Sequence, residues 1–420
     1  MATLYYDLSE LFLASGQKFK YYGISRTVME VGFELAGMDA DVRFVIFSPA
    51  HGRFFEVSPR LGAASPTGVM DPNVPPEATP KRMRLSFPTR NLLRDILHPG
   101  VLWGLRQINL RRWKSVPSGA VREVDLSGQN LVALGRPKIM ADYLTALDRA
   151  GITPRFFPLL HDMIPLHEFA HPSQSMFSSN FAHDNHTVIA HAAGLLANSD
   201  FTKSEIEHFA ASGHLPAIPP VTAIPLAHEL RVTQEPVVKT PPQAPYVICV
   251  GTLTGRKNLE CVVDALMHLA SQGRPVPHLV LAGARRKRAE QYIDRPEFAA
   301  LRGKIHMLLN PNQSELRALY QNALALVIPS RMEGWGLPLG EALWLGIPAL
   351  ASSAPALREA GGTLAQYFDP DDPQTLAGYM DALHSDPAHL ADVKTRVADG
   401  FGQLRSWSDV ARDIVQTVTA

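Results

Sequence analysis

Residues 331–346 read RMEGWGLPLGEALWLG. Glu333 and Glu341 stand eight positions apart, with Gly334, Gly336, Pro338 and Gly340 between them. The apolar run ALALVI (323–328) precedes the stretch, and EALWL (341–345) closes it. A run of strand length, a glycine-rich break and a segment of helix formers predict a strand, a turn and a helix starting near Leu339. The free N–H groups and positive dipole of a helix N-terminus hold phosphate well, and glycines let the backbone approach a ligand closely. Glu341 falls in the first helical turn, where it can face the same ligand as Glu333. A carboxylate so placed can accept hydrogen bonds from two adjacent hydroxyls of a ribose or a hexose.

Around this corner the chain alternates. YVICVGTL (246–253), HLVLAG (278–283), KIHMLL (304–309), LALVIPS (324–330) and PALAS (348–352) are strand-length apolar runs. Between them lie the helical patterns NLECVVDALMHLASQG, an arginine-rich polar segment, SELRALYQNA and LGEALWLG. Short buried strands alternating with helices predict a doubly wound parallel α/β sheet, whose ligands bind beyond the carboxyl ends of the strands. The first half repeats the pattern less cleanly. VRFVIFS, NLVALG, RFFPLLHD, TVIAHA and GLLANS are its candidate strands, and RTVMEVGFELAG and KIMADYLTALDRAG its candidate helices. EPVVKTPPQAP (235–245) has four prolines in a short polar stretch, which resist both helix and central strand. The expected organisation is two Rossmann-like domains, 1–228 and 246–400, joined by a linker at 229–245, with the site in the cleft and a last segment at 401–420.

A chain of 420 residues is too long for one ordinary core, which agrees with two domains. Its 40 basic and 40 acidic residues cancel, so nothing points to a nucleic-acid partner. Cys249 and Cys261 lie in a predicted strand and the helix after it. They read as small core residues rather than a disulfide, and two thiols make no zinc site. The start, MATLYYDLSELFLASGQ, has no basic leader and carries Asp7 and Glu10 within its apolar stretch, so a signal peptide is not expected. No apolar run is long enough for a transmembrane helix. The expected location is cytoplasmic.

Segment 81–114 interrupts the alternation. It holds Lys81, Arg82, Arg84, Arg90, Arg94, Arg106, Arg111, Arg112 and Lys114 against one acid, Asp95, with leucines, Phe87, Trp103 and Trp113 interleaved. One reading is an amphipathic segment lying on an anionic membrane, here the inner face. The other is a solvated insertion whose arginines balance acids elsewhere.

In GTLTGRKNL (251–259) a predicted strand ends at Gly251 and a helix begins near Asn258. Arg256 and Lys257 at that turn suit a diphosphate, although alone they would read as an ordinary basic turn. Gly334, Gly336 and Gly340, with Glu359 further on, also approach a dinucleotide fingerprint, but the last glycine has the wrong spacing. Asp39-Ala40-Asp41 spells a D-x-D metal motif but reads as a solvated loop, and DPDDP (369–373) as a turn with helix-capping acids. No metal or cofactor is expected.

The stretch LYQNALALVIPSRMEGWGLPLGEALWLGIPALASSAPALREAGG (319–362) resembles the signature of the GT-B glycosyltransferases of family four, with their Glu-x7-Glu motif. GTLTGRKNL resembles that family's diphosphate-binding turn. HDMIPLHEFAHP (161–172) and ANSDFTKSEI (197–206) resemble motifs of its first half. SWSDVARDIVQTV (406–418) resembles its last helix, which crosses back onto the N-terminal domain. The resemblance implies that Glu333 contacts the transferred sugar and that the amides of Gly334, Trp335, Gly336 and Leu337 lie near sugar and diphosphate. It further implies that Glu341 binds the ribose, that Arg256 and Lys257 neutralise the leaving diphosphate, and that His161 lies near the acceptor and the sugar. Gly23, Ser25 and Arg26, with Asp162, correspond to a phosphate or acceptor loop. Tyr22 stands where that loop usually has a second glycine, and PLAHEL lacks the glycine common near His228. The implied reaction is metal-independent retaining transfer, in which the leaving phosphate helps deprotonate the acceptor. HDMIP with GTLTGRKN resembles mannosyl- and rhamnosyltransferases, which points to GDP-mannose as donor and a saccharide or polyprenol-linked acceptor. An isomerase or phosphorylase of the same fold, or a sugar-nucleotide-binding protein without turnover, are the alternatives.

Overall fold

The computed structural model describes residues 3–13, 23–167, 175–232, 237–239, 242–251, 255–284 and 287–420. The chain divides into two compact units, Met1–Ile224 with Trp407–Ala420, and Pro225–Ser406. Sequence reading put these divisions at 228/229 and 400/401. The difference has a local cause. The His228 amide donates to the Arg405 carbonyl at 2.9 Å, the Arg405 amide donates to His228 Nδ1 at 2.9 Å, and Arg405 Nε donates to the Pro225 carbonyl at 3.1 Å. These bonds keep 225–228 and 405 in one unit.

Among the described residues the first unit is built on an eight-stranded sheet. Its spatial order is Val221–Ala223, Leu195–Ala197, Arg155–Leu160, Asn130–Ala133, Leu4–Asp7, Val42–Ser48, Arg53–Val57 and Val121–Val124. The first six are parallel, with Leu4 between Val42 and Asn130; the last two are antiparallel. The central strand Leu4–Asp7 is entirely buried. TVIAHA is a correction: Thr187–Ala190 close the helix Met176–Ala190, capped by Ser175, whose hydroxyl accepts from the Ser178 amide at 3.1 Å. The buried positions Ser178, Asp184, Asn185, Val188 and Ile189 recur at helical spacing, but three are polar, which hid the period.

Among the described residues the second unit has six strands, all parallel: Ile305–Leu309, His278–Gly283, Tyr246–Val250, Ala325–Ile328, Ala349–Ser352 and Gln366–Phe368. The five expected strands are present, and the short Gln366–Phe368 extends the edge. The order reverses between Tyr246–Val250 and Ala325–Ile328, the kind of switch point where a crevice opens beyond the strand ends. Cys249 and Cys261 are free and buried in this core beside Val247, Leu266 and Leu279. Asp372 caps the helix Pro373–Ser385, as its DPDDP turn predicts.

Within 81–114 the chain forms the helix Leu92–Trp113, capped by Asn91. Several of its cations are used internally. Arg82 pairs with Asp142 at 2.7 Å and Arg84 holds Asp184 with both guanidinium nitrogens. Arg106 and Arg112 donate to the carbonyls of Ala50 and Thr79. For Arg82 and Arg84 the charge-balancing reading describes the structure, whereas Arg106 and Arg112 serve backbone carbonyls and balance no acid. Among the described residues no helix is long and apolar enough to cross a membrane.

Candidate active site

In the second unit the strand Ala325–Ile328 leads through Ser330–Gly336 into the helix Leu337–Trp344, two residues earlier than expected. Gly336 is the N-cap with φ 112°, a left-handed conformation that favours glycine, and a Cβ there would lie 2.5 Å from Leu357 Cδ2. The turn Gly255–Lys257 is tied to this corner, because the Arg331 amide donates to the Arg256 carbonyl at 2.8 Å. Asn258, also left-handed, caps the helix Leu259–Ser271 and donates to the carbonyls of Pro329 and Pro370. Gly251 and Gly283 end adjacent strands so closely that a Cβ on Gly283 would lie 2.4 Å from the Gly251 carbonyl oxygen. Residues 252–254 lie outside the described residues.

These contacts bring Arg256, Lys257 and Glu333 together. Arg256 Nη1 is 3.0 Å from Glu333 Oε2 and also donates to the Met332 carbonyl, and Lys257 Nζ donates to Glu333 Oε1. Glu333 is only 7% exposed. Burial opposes its ionisation, but the charges of Lys257 and then Arg256 override it and hold its pKa at about 2. Stability from this carboxylate is therefore complete above its ordinary pKa of 4.5 and lost as the pH falls towards 2. Because the helix starts at Leu337, Glu341 lies in its second turn rather than its first, buried, and accepts from the Tyr320 hydroxyl at 2.7 Å. Trp335 is buried with its indole edge-on to His228. His228 donates through Nε2 to Ala360 and accepts at Nδ1 from Arg405, so both ring nitrogens are committed and the imidazole is neutral. A Cβ on Gly340 would lie 2.8 Å from His228 Cα, so the PLAHEL segment packs directly on the helix carrying Glu341.

The first unit has its own cluster at the carboxyl ends of its central strands. His161 Nε2 donates to the Leu134 carbonyl at 2.7 Å, leaving Nδ1 as the acceptor nitrogen of a ring that burial keeps neutral. Asp162 accepts from the Ile164 amide and stabilises the turn after His161. HDMIPLHEFAHP is described only as far as His167. Gly23, with φ 60°, caps the helix Ile24–Gly37, and Ser25 Oγ donates to Glu10 Oε1 at 3.3 Å. Arg26 is not presented beside them. It is 3% exposed, near Glu30, with its guanidinium 5.8 Å from the Trp407 ring. Sequence reading missed Glu10 and Arg136. Glu10 is buried and accepts from the Arg136 amide at 3.1 Å and from Arg136 Nε at 2.8 Å, while about half of the Arg136 side chain stays exposed. The available signal was the run NLVALGRPK, a second strand–turn–helix corner with Pro137 at the helix start.

Residues 232–398 match the family of glycosyl transferases group 1. The chain carries the domain of the group 1 glycosyl transferases. The relatives of this chain include O-antigen chain mannosyltransferase B of Escherichia coli, 30% identical over 32% of this chain and 35% of that one. O-antigen chain mannosyltransferase RfbU of Salmonella typhimurium is 37% identical over 23% of this chain and 28% of that one. The matched region spans about a third or less of these curated relatives. The fold is GT-B. Sucrose-phosphate synthase from Thermosynechococcus elongatus aligns with a TM-score of 0.64 at 16% identity, over 99% of this chain and 98% of that one. HepE from Anabaena, solved with UDP and glucose, aligns at 0.58 and 13% over the whole of both chains. At such identities the likeness establishes the fold alone.

Next to the first-unit cluster, Asp7 ends its strand 2% exposed, and burial raises its pKa from 3.8 to about 6 against the hydrogen bonds from Ser9. Between those values the folded protein keeps a proton that the unfolded chain releases. This group therefore contributes less stability as the pH rises from 4 to 7, by about 3 kcal/mol at about 1.4 kcal/mol per unit. Asp7→Asn should remove that dependence. In urea titrations its stability relative to wild type should improve by that amount across the window; a constant difference would show that Asp7 titrates normally.

Proposed function

We propose that the protein is a metal-independent, retaining glycosyltransferase. In this reading it moves a hexose, with mannose favoured, from a nucleoside-diphosphate donor to a saccharide or polyprenol-linked acceptor in surface polysaccharide synthesis. The observation that carries the reading is the Glu333–Arg256–Lys257 cluster at a glycine-lined corner beyond the strand ends. Two cations beside helix N-termini suit a leaving diphosphate, whose charge builds as the anomeric bond breaks with oxocarbenium character. As the phosphates engage Arg256 and Lys257, the Glu333 carboxylate is released to accept hydrogen bonds from sugar hydroxyls. Glu341 serves the ribose, and His161 the acceptor side of the sugar. The O-antigen mannosyltransferases among the relatives support mannose, and hence GDP, as the donor side of this reading.

The test is thermal unfolding with EDTA present, against UDP, GDP, dTDP, CDP and NAD. GDP at about one hundred times its dissociation constant should add about 2.7 kcal/mol to stability, and Lys257→Ala should abolish the shift. A shift with UDP in place of GDP would change the base and keep the transferase. A shift with NAD alone, or with no nucleotide, would overturn the reading.

A further inference from the structure

We infer that the helix Leu92–Trp113 docks its outer face into the surface of a bilayer containing anionic phospholipid. The face is apolar and already exposed. Leu92, Leu93, Ile96, Leu97, Trp103 and Ile108 all lie on one side, and the first five are each more than 60% exposed. Gly100 and Gly104 complete the arc, and no charged side chain interrupts it between Leu92 and Ile108. The opposite face is tied to the domain. Trp113 packs on Phe12 and Phe55, and Asn109 bonds both the amide and the carbonyl of Lys81. The helix is therefore formed before it meets a partner.

The chemistry of the face selects lipid. A protein interface carries about one hydrogen bond per 100–200 Å², whereas this stripe offers almost no polar group to make one. A bilayer asks only for apolar area, with cations at the rim and tryptophan at headgroup depth. Exposed Arg90 precedes the stripe, and exposed Arg111 and Lys114 follow it. The helix's single acid, Asp95, is held by Arg94. Because Arg82 and Arg84 are engaged with Asp142 and Asp184, the membrane contact is carried by the leucines and Trp103, and the free cations orient it. The inference is independent of which sugar is moved, since docking requires no turnover.

The experiment is co-flotation of the full chain with vesicles of phosphatidylethanolamine and phosphatidylglycerol, read together with tryptophan emission. Wild type should float, with a blue-shifted emission quenched by brominated lipid. Trp103→Phe should lose the spectral change and keep the binding. The triple variant Leu93→Gln/Leu97→Gln/Trp103→Gln alters exposed positions only and should bind about tenfold or more weakly. Arg111→Gln/Lys114→Gln should weaken binding less and reduce its salt sensitivity. The inference is overturned if wild type stays unbound, if the triple variant floats like wild type, or if the stripe drives self-association in the absence of vesicles.

Discussion

Glu333→Gln is expected to lower kcat/KM by about a hundred- to a thousandfold while free GDP binds more tightly, not less. The Glu333 carboxylate is the counter-ion of both Arg256 and Lys257. On the proposed reading, a donor diphosphate competes with it for the same N–H groups. Glutamine keeps the shape and removes the charge, so the competition falls and GDP alone should gain about tenfold in affinity, the scale of one charged hydrogen bond. Transfer should still collapse, because a neutral amide is a poorer acceptor for sugar hydroxyls as positive charge develops at the anomeric carbon. Lys257→Ala makes the contrast, losing both GDP binding and turnover. Calorimetric titration of GDP into the two variants separates the roles. If Glu333→Gln weakens GDP binding in parallel with turnover, Glu333 merely holds the turn together.

Trp407→Ala should be the most damaging single truncation in the first unit, costing about 3–5 kcal/mol. Trp407 is wholly buried, and with Val410, Ala411, Ile414 and Val418 it forms the inward stripe of the helix Trp407–Thr419, which packs on Ile24–Gly37. Its ring also lies beside the buried Arg26 guanidinium. Truncation would leave a cavity and strip that cation of a polarisable neighbour. Urea unfolding followed by far-UV dichroism would show a lower midpoint. A loss below about 1 kcal/mol would mean that the helix is peripheral to the unit's stability.

The second unit was largely legible in the sequence. Buried parallel strands are continuous apolar runs, and 246–352 repeats that run five times with helical spacing between. The corner around Gly336 was legible for the same reason, since a turn with positive φ leaves a glycine behind. The first unit was harder to read. Its central strand Leu4–Asp7 is short, and the helix Met176–Ala190 buries polar residues at the positions that usually report its period.

The sequence alone determined the alternation of elements, the glycine corner and the residue types gathered there, because each depends on neighbours a few positions away. Only the tertiary structure decided which partners those residues meet. It set Glu333 against Lys257 across 76 positions and Glu10 against Arg136 across 126, and it buried Arg26 beside Trp407. It also left the leucines of Leu92–Trp113 outside while engaging several of the nearby arginines. A side chain's charge partner and its burial depend on chain segments that meet only after folding, and no local period or spacing records that meeting.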